Sequence, residues 1–214
     1  MMPPVVGVVL AGGKSTRMGV DKALLHLPRD DSPTLLDRAA ATLREAGLAI
    51  IGLSVSDEAR GRALRDAGVA CADGPIVYDA TPGRGPMGGL DAALTAYPGW
   101  GVLLVACDMP CLAPASLRAV LDRAQETGAD VVTPLVAGQP EPLHAYYGPR
   151  CAPVVARLLA SGCFKMSALA DAPSLRTSRF DLAPASTLNL NTPDDLAAFR
   201  TSPASSTSRT ALHG

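Results

Sequence analysis

The sequence predicts an α/β fold with a mostly parallel central sheet and helices on both faces. Three observations predict it. Short apolar runs alternate along the chain with segments of helical period, the pattern of strand–helix–strand units. The runs at 5–10 and 101–106 are apolar almost throughout, as strands buried on both faces are. The 20 Gly and 19 Pro are spread through all 214 residues, marking many short connections.

The elements follow in order. Val5 to Leu10 is a buried strand, and a Gly-rich loop follows it. Leu35, Leu36, Ala39, Ala40, Leu43 and Ala46 recur at helical spacing. Thr34 with Asp37 resembles a capping box there, and Gly47 supplies the stop. Leu48 to Val55 reads as a second strand, Asp57 to Ala67 as a helix closed by Gly68, and Val69 to Ala72 as a short third strand. The segment from Asp79 to Gly89 is Gly/Pro-rich and reads as a loop leading into a helix near Leu90 to Tyr97. Gly101 to Ala106 is the next strand and ends at Asp108. Pro114 opens a helix through Leu117, Val120, Leu121 and Ala124, stopped at Gly128. Asp130 to Leu135 and Leu143 to Tyr147 read as strands and Ala152 to Leu159 as a helix. Thr192-Pro193-Asp194-Asp195 opens a last helix with a cap, a Pro at its first position and acidic residues in its first turn. Residues 1–200 are expected to form a single domain. The Ser/Thr-rich stretch 201–214 is expected to be a disordered tail.

Composition narrows the function. Aromatics are 4% of the chain, so Ala, Val and Leu must build the core. The formal net charge is −1, which excludes a basic nucleic-acid footprint. No apolar run approaches the roughly 20 residues that span a bilayer, and the N-terminus lacks the basic region of a signal peptide. A cytoplasmic protein with no membrane partner is expected. Cys71, Cys107, Cys111, Cys151 and Cys163 are odd in number and form no C-x-x-C pair, which reads as reduced thiols. His26, His144 and His213 are too scattered for a ligand cluster.

Three loops carry chemistry. In the first, Leu10-Ala11-Gly12-Gly13-Lys14-Ser15-Thr16-Arg17-Met18-Gly19, the paired glycines let backbone N–H groups approach an anion. Lys14, Arg17 and Lys22 add three positive charges within nine residues, as a triphosphate requires. Two familiar phosphate loops are excluded. Gly13-Lys14-Ser15 mimics the end of G-x-x-x-x-G-K-[ST], but the first glycine would have to stand at Val8; the fingerprint G-x-G-x-x-G is also absent. The second loop is Cys107-Asp108-Met109-Pro110. A carboxylate at the end of a buried strand is costly unless paired, and it suits a hard cation such as Mg²⁺ shared with substrate phosphates. In the third loop, Asp79 offers a carboxylate to a base edge; guanine presents two donors, N1–H and an amine. Gly85-Pro86-Met87-Gly88-Gly89 then starts a helix whose N–H groups can face an anion.

The opening loop followed by Asp21-Lys22 resembles the L-A-G-G-x-S-x-R-M-G…D-K opening of nucleotidyltransferases with the nucleotide-diphospho-sugar transferase fold, a Rossmann-like architecture. Gly85-Pro86-Met87-Gly88-Gly89, Cys107-Asp108-Met109-Pro110, the 139–147 segment and Asn189-Leu190-Asn191-Thr192-Pro193-Asp194-Asp195-Leu196 resemble the molybdenum cofactor guanylyltransferase family. The likeness runs from about Val5 to Phe199. It implies transfer of GMP from GTP to molybdopterin or Mo-molybdopterin, with pyrophosphate released and Mg²⁺ required. Other cofactor-biosynthesis proteins and recipient molybdoenzymes are the further partners it implies. By position, Leu10, Ala11, Gly12, Gly13, Lys22, Asp79 and Asp108 would bind nucleotide, and Asp108 would also hold the metal. Arg17, Lys22 and Asp108 would be catalytic. Gly85, Gly88, Asn189 and Asn191 would lie toward the pterin. Ser56 stands near the place where the family has a nucleotide-contacting Asn. The rival readings are a cytidylyl-transferring sister enzyme using CTP, a sugar-1-phosphate nucleotidyltransferase, a P-loop NTPase, and a non-catalytic GTP-binding regulator.

Overall fold

β1 (Val5–Leu10) lies between two parallel neighbours, β2 (Ile51–Val55) and β4 (Gly101–Ala106). The computed structural model describes residues 2–12, 21–26, 33–81, 83–182 and 195. Val6 and Val8 face one side of the sheet and Val5 and Val9 the other, the period of two that a strand imposes. Both sides are covered. α1 (Leu35–Glu45), α2 (Glu58–Asp66) and α4 (Pro114–Thr127) set Leu36, Leu43, Leu64, Leu117 and Val120 in one core layer. α3 (Gly85–Ala96), α5 (Ala152–Ala160) and α6 (Ser167–Ala170) set Leu90, Leu94, Val155, Leu159 and Leu169 in the other.

The sheet of the described residues has eight strands. β3 (Ile76–Tyr78), β2, β1 and β4 are parallel; β7 (His144–Tyr147) then runs antiparallel to β4. Beyond it lies β5 (Val131–Val136), with β6 (Gln139–Pro140) antiparallel and β8 (Thr177–Leu182) parallel to it. Crossing β7 restores the direction of β4, so β5 and β8 point the same way. Leu182 therefore lies at the same end of the sheet as Leu10 and Ala106.

Thr34 caps α1 as its sequence suggests: its hydroxyl accepts from Asp37 N at 3.0 Å and donates to Asp37 Oδ2 at 2.9 Å. The remaining Asp37 oxygen accepts from Cys71 N at 2.8 Å. That bond helps correct one expectation. Residues 69–72 form no strand; Ala70–Asp73 is a 3₁₀ turn, and the third strand is Ile76–Tyr78. Three residues between Pro75 and Asp79 are too few to show a period. The second strand is also shorter than expected, because Leu48 packs back on α1 through its N–H to Leu43 O at 3.2 Å.

The third helix starts at Gly85, five residues before Leu90. Gly89 serves packing. A Cβ on Gly89 would stand 2.5 Å from Leu10 Cδ2 and 2.6 Å from Ser54 Oγ. Close approach of helix to sheet therefore requires a residue that suggested a loop. β8 escaped the sequence reading because it lies on an edge. Only Ser178, Phe180 and Leu182 face inward, and its other face is exposed. The last helix and the tail from 201 fall outside the described residues, Asp195 excepted.

Gly101 meets a similar constraint: its Cβ would lie 2.4 Å from Tyr146 Cε2. Tyr146 is buried and cannot swing aside. Gly101→Ala is expected to cost about 1–3 kcal/mol, the range for overpacking, as a lower urea midpoint with unchanged slope.

Candidate active site

Strand order reverses between β1 and β4, which pair through Leu10 and Ala106. Open α/β sheets bind ligands outside the carboxyl ends of strands at such a point. A cleft of about 750 Å³ opens there. Gly12, Lys22, Asp79 and Asp108 all line it, together with Leu10, Ala11, Gly85 and Gly89. Sequence expectation and structure thus place the same groups in one crevice. Gly88 sits just behind the wall, its Cβ position 3.4 Å from Asp79 Oδ2. Gly13, Lys14, Arg17, Asn189 and Asn191 lie outside the described residues.

β1 delivers Gly12 against β2. A Cβ there would approach the backbone N of Ser56 to 3.1 Å, and backbone cannot yield as a flexible side chain does. Asp21 caps a 3₁₀ turn, Lys22–Leu24, by accepting from Ala23 N at 3.1 Å. The turn projects Lys22 across the crevice, where its ammonium donates to Asp108 Oδ2 at 3.0 Å. The two side chains are 16% and 20% exposed, so this pair is better shielded from solvent than an ordinary surface bridge. Asp21 itself is gripped by Arg60 of α2. Two acids and two bases thus gather around Cys107. Burial pushes its thiol up to about 12, with Asp108 and Asp21 adding to the rise. Cys107 therefore stays protonated at neutral pH and offers no thiolate nucleophile.

Asp79 follows β3, held by its own N–H to Val55 O at 3.0 Å. Burial raises its carboxyl to about 6; the Ser54 hydroxyl pulls it back, while Asp57 and Asp91 push it further up. Its Oδ1 is buried with no donor among the described residues. A buried acceptor left in this state is costly, and a ligand bringing N–H donors would satisfy it. Folding raises this pKa from 3.8, so the resulting stability is present below pH 4 and lost as pH rises through 6. Asp79→Asn is therefore expected to stabilise the protein near pH 8 by about 1 kcal/mol, after discounting for partial solvent access. Denaturation at pH 8 and pH 4 checks this, because the gain must vanish at pH 4.

α3 forms the remaining wall. Gly85 enters it at φ +61, a left-handed conformation that favours glycine. Among the described residues no side chain caps its N-terminus, and the first-turn N–H groups, absent at Pro86, can face an anion.

A crevice at a sheet switch point, with a cation–carboxylate pair across it and a helix N-terminus on its wall, has the placement and donors that suit a phosphate-bearing ligand of an α/β protein. The comparisons carry this further. The model of the MobA-like NTP transferase domain matches residues 7–175. The chain is 33% identical over 200 residues to the "Probable molybdenum cofactor guanylyltransferase" of Chloroflexus aggregans, covering 89% of this chain and 90% of that protein. It is 35% identical over 146 residues to the protein of the same name in Pelotomaculum thermopropionicum, covering 68% of this chain and 64% of that protein, just under two thirds of its length. In fold it is similar to the molybdopterin-guanine dinucleotide biosynthesis protein A of Archaeoglobus fulgidus, with a TM-score of 0.73 and 23% identity over 95% of this chain and 98% of that one. The chain belongs to the MobA-like NTP transferase family and is a nucleotidyltransferase.

Arg60 is the functional candidate that the sequence reading missed. Its signal was position: Asp57 caps α2 directly after β2, so Arg60 falls in a first turn beside the end of β1. A cation is unfavourable near a helix N-terminus unless acids hold it there.

Proposed function

We propose that this chain transfers the GMP moiety of GTP to the terminal phosphate of molybdopterin, or of its molybdenum-loaded form, releasing pyrophosphate. The observation that carries the reading is the Lys22–Asp108 pair across the β1–β4 crevice, 3.0 Å apart and shielded from solvent. The names of the relatives support it at about one third identity.

The chemistry joins two anions, so positioning and countercharge matter more than a covalent nucleophile. An acceptor phosphate oxygen attacks the α-phosphorus in line, and the bond to the β-phosphate's bridging oxygen breaks. No general base is required, because the attacking phosphate is already ionised. Lys22 offsets charge developing on the α-phosphoryl oxygens. Arg17 and the loop N–H groups are proposed to hold the departing pyrophosphate. Asp79 accepts from guanine N1–H and the exocyclic amine, giving its buried oxygen the donor it lacks. Gly85 on the wall, with Gly88 just behind it, is proposed to face the pterin, together with Asn189 and Asn191.

Asp108 fits Mg²⁺, which takes one or two carboxylates and completes its shell with phosphate oxygens and water. Asp108 would then share the ion with substrate phosphate oxygens and solvent. When bound, the ion neutralises phosphate charge as a Lewis acid.

The test is pyrophosphate release from each of the four ribonucleoside triphosphates, with and without molybdopterin. The expected result is release from GTP alone, and only with acceptor. Preference for CTP would reassign the base. GTP binding without pyrophosphate release would overturn the reading in favour of a regulator.

A further inference from the structure

The cation that faces Asp108 stands on a turn held from α2 by the side chain of Arg60. Arg60 donates through Nε to Ala11 O at 3.1 Å and through Nη2 to Asp21 Oδ1 at 2.9 Å, while Nη1 bonds Asp21 Oδ2. All three guanidinium nitrogens are therefore used on two segments, the end of β1 and the residue just before Lys22. Asp21 Oδ1 in turn caps Ala23 N. Arg60 is itself fixed, because its backbone N–H donates to Asp57 Oδ1 at 2.7 Å. Its side chain is 18% exposed.

We propose that Arg60 is a positioning residue: by tying Ala11 to Asp21 it fixes the turn that presents Lys22 to Asp108. Two physical effects combine. The planar fork spans a carboxylate and a carbonyl at once, which one ammonium cannot do. Arg60 also neutralises Asp21, so that Lys22 faces Asp108 instead of being shared between two neighbouring acids. Its role in turnover rests on the nucleotidyl-transfer reading; its role in geometry does not.

The test uses the full-length chain with Arg60→Ala, Arg60→Lys, Asp21→Asn and the Arg60→Ala/Asp21→Asn double variant. Arg62→Ala serves as control, since Arg62 lies on the same helix but is exposed. Arg60→Ala is expected to lower kcat for GTP-dependent pyrophosphate release by about 10–100-fold, as misplacement of a reacting group does, with KM changed much less. Arg60→Lys should recover only part of the loss. The double variant should lose no more than the worse single variant, because both act through one contact. Losses that multiply, or a loss confined to KM, would overturn the proposal in favour of direct contact between Arg60 and the triphosphate. In a crystal structure of Arg60→Ala, Lys22 Nζ is expected out of hydrogen-bond reach of Asp108. A retained Lys22–Asp108 bond overturns the proposal whatever the substrate proves to be. If the wild-type chain releases no pyrophosphate from any triphosphate, the functional reading fails, and this structure still decides the clamp. Should Arg60→Ala not fold, Asp21→Asn supplies the same two readouts.

Discussion

Asp108→Asn is expected to reduce pyrophosphate release at saturating GTP by a hundredfold or more, roughly 3 kcal/mol of transition-state stabilisation. The substitution keeps the side chain's shape and removes its charge. Asp108 stands two residues beyond a strand whose residues are all buried, and it faces Lys22 at 3.0 Å. In the proposed mechanism its carboxylate holds the divalent ion, and an amide is a far weaker ligand for a hard cation. Steady-state turnover with purified protein checks this, with thermal denaturation to show that the fold persists. Turnover within threefold of wild type would remove Asp108 from the chemistry.

The second large effect is expected at Lys22. Lys22→Met keeps much of the aliphatic stem and removes the charge that offsets the α-phosphoryl group. Its kcat is expected to fall about a hundredfold, as on removing a donor from developing negative charge. The pair also allows stability and activity to be separated. Removing one partner of a shielded ion pair destabilises more than removing both. The Lys22→Met/Asp108→Asn double variant should therefore melt above the worse single variant while remaining as inactive as either. A double variant with regained turnover would contradict the proposed roles of both residues.

The sequence reading and the structure agree where local chemistry decides the outcome. Val5–Leu10 and Gly101–Ala106 declare themselves as strands because burial on both faces demands continuous apolar side chains. Pro114 and Gly128 bound α4 because each has one conformational property that suits its end of a helix. Lys22, Asp79 and Asp108 could be selected because strand ends bring such groups to one crevice. Disagreement came where distant contacts decide. Gly89 suggests a loop until the close approach of α3 to Leu10 and Ser54 is known. Residues 70–73 turn because Asp37, more than thirty positions earlier, takes the Cys71 N–H. Arg60 escapes the sequence reading because the groups that hold it, Ala11 and Asp21, lie far from it in sequence.

The antiparallel strand β7 has a consequence for how substrate preference is distributed along the chain. It turns the later half of the sheet so that β8 ends on the same rim as β1 and β4. The early half supplies Gly12, Lys22 and Asp79 to the crevice, and Leu182 brings the chain back to the same rim three strands beyond β4. Under the proposed reaction the acceptor then draws on both halves of the chain: Gly85 and Gly88 beside Asp79 in the early half, and Asn189 and Asn191 beyond Leu182 in the sequence. Substitutions confined to the early half are therefore expected to be enough to change the base, whereas a change of acceptor requires the two distant stretches to change together.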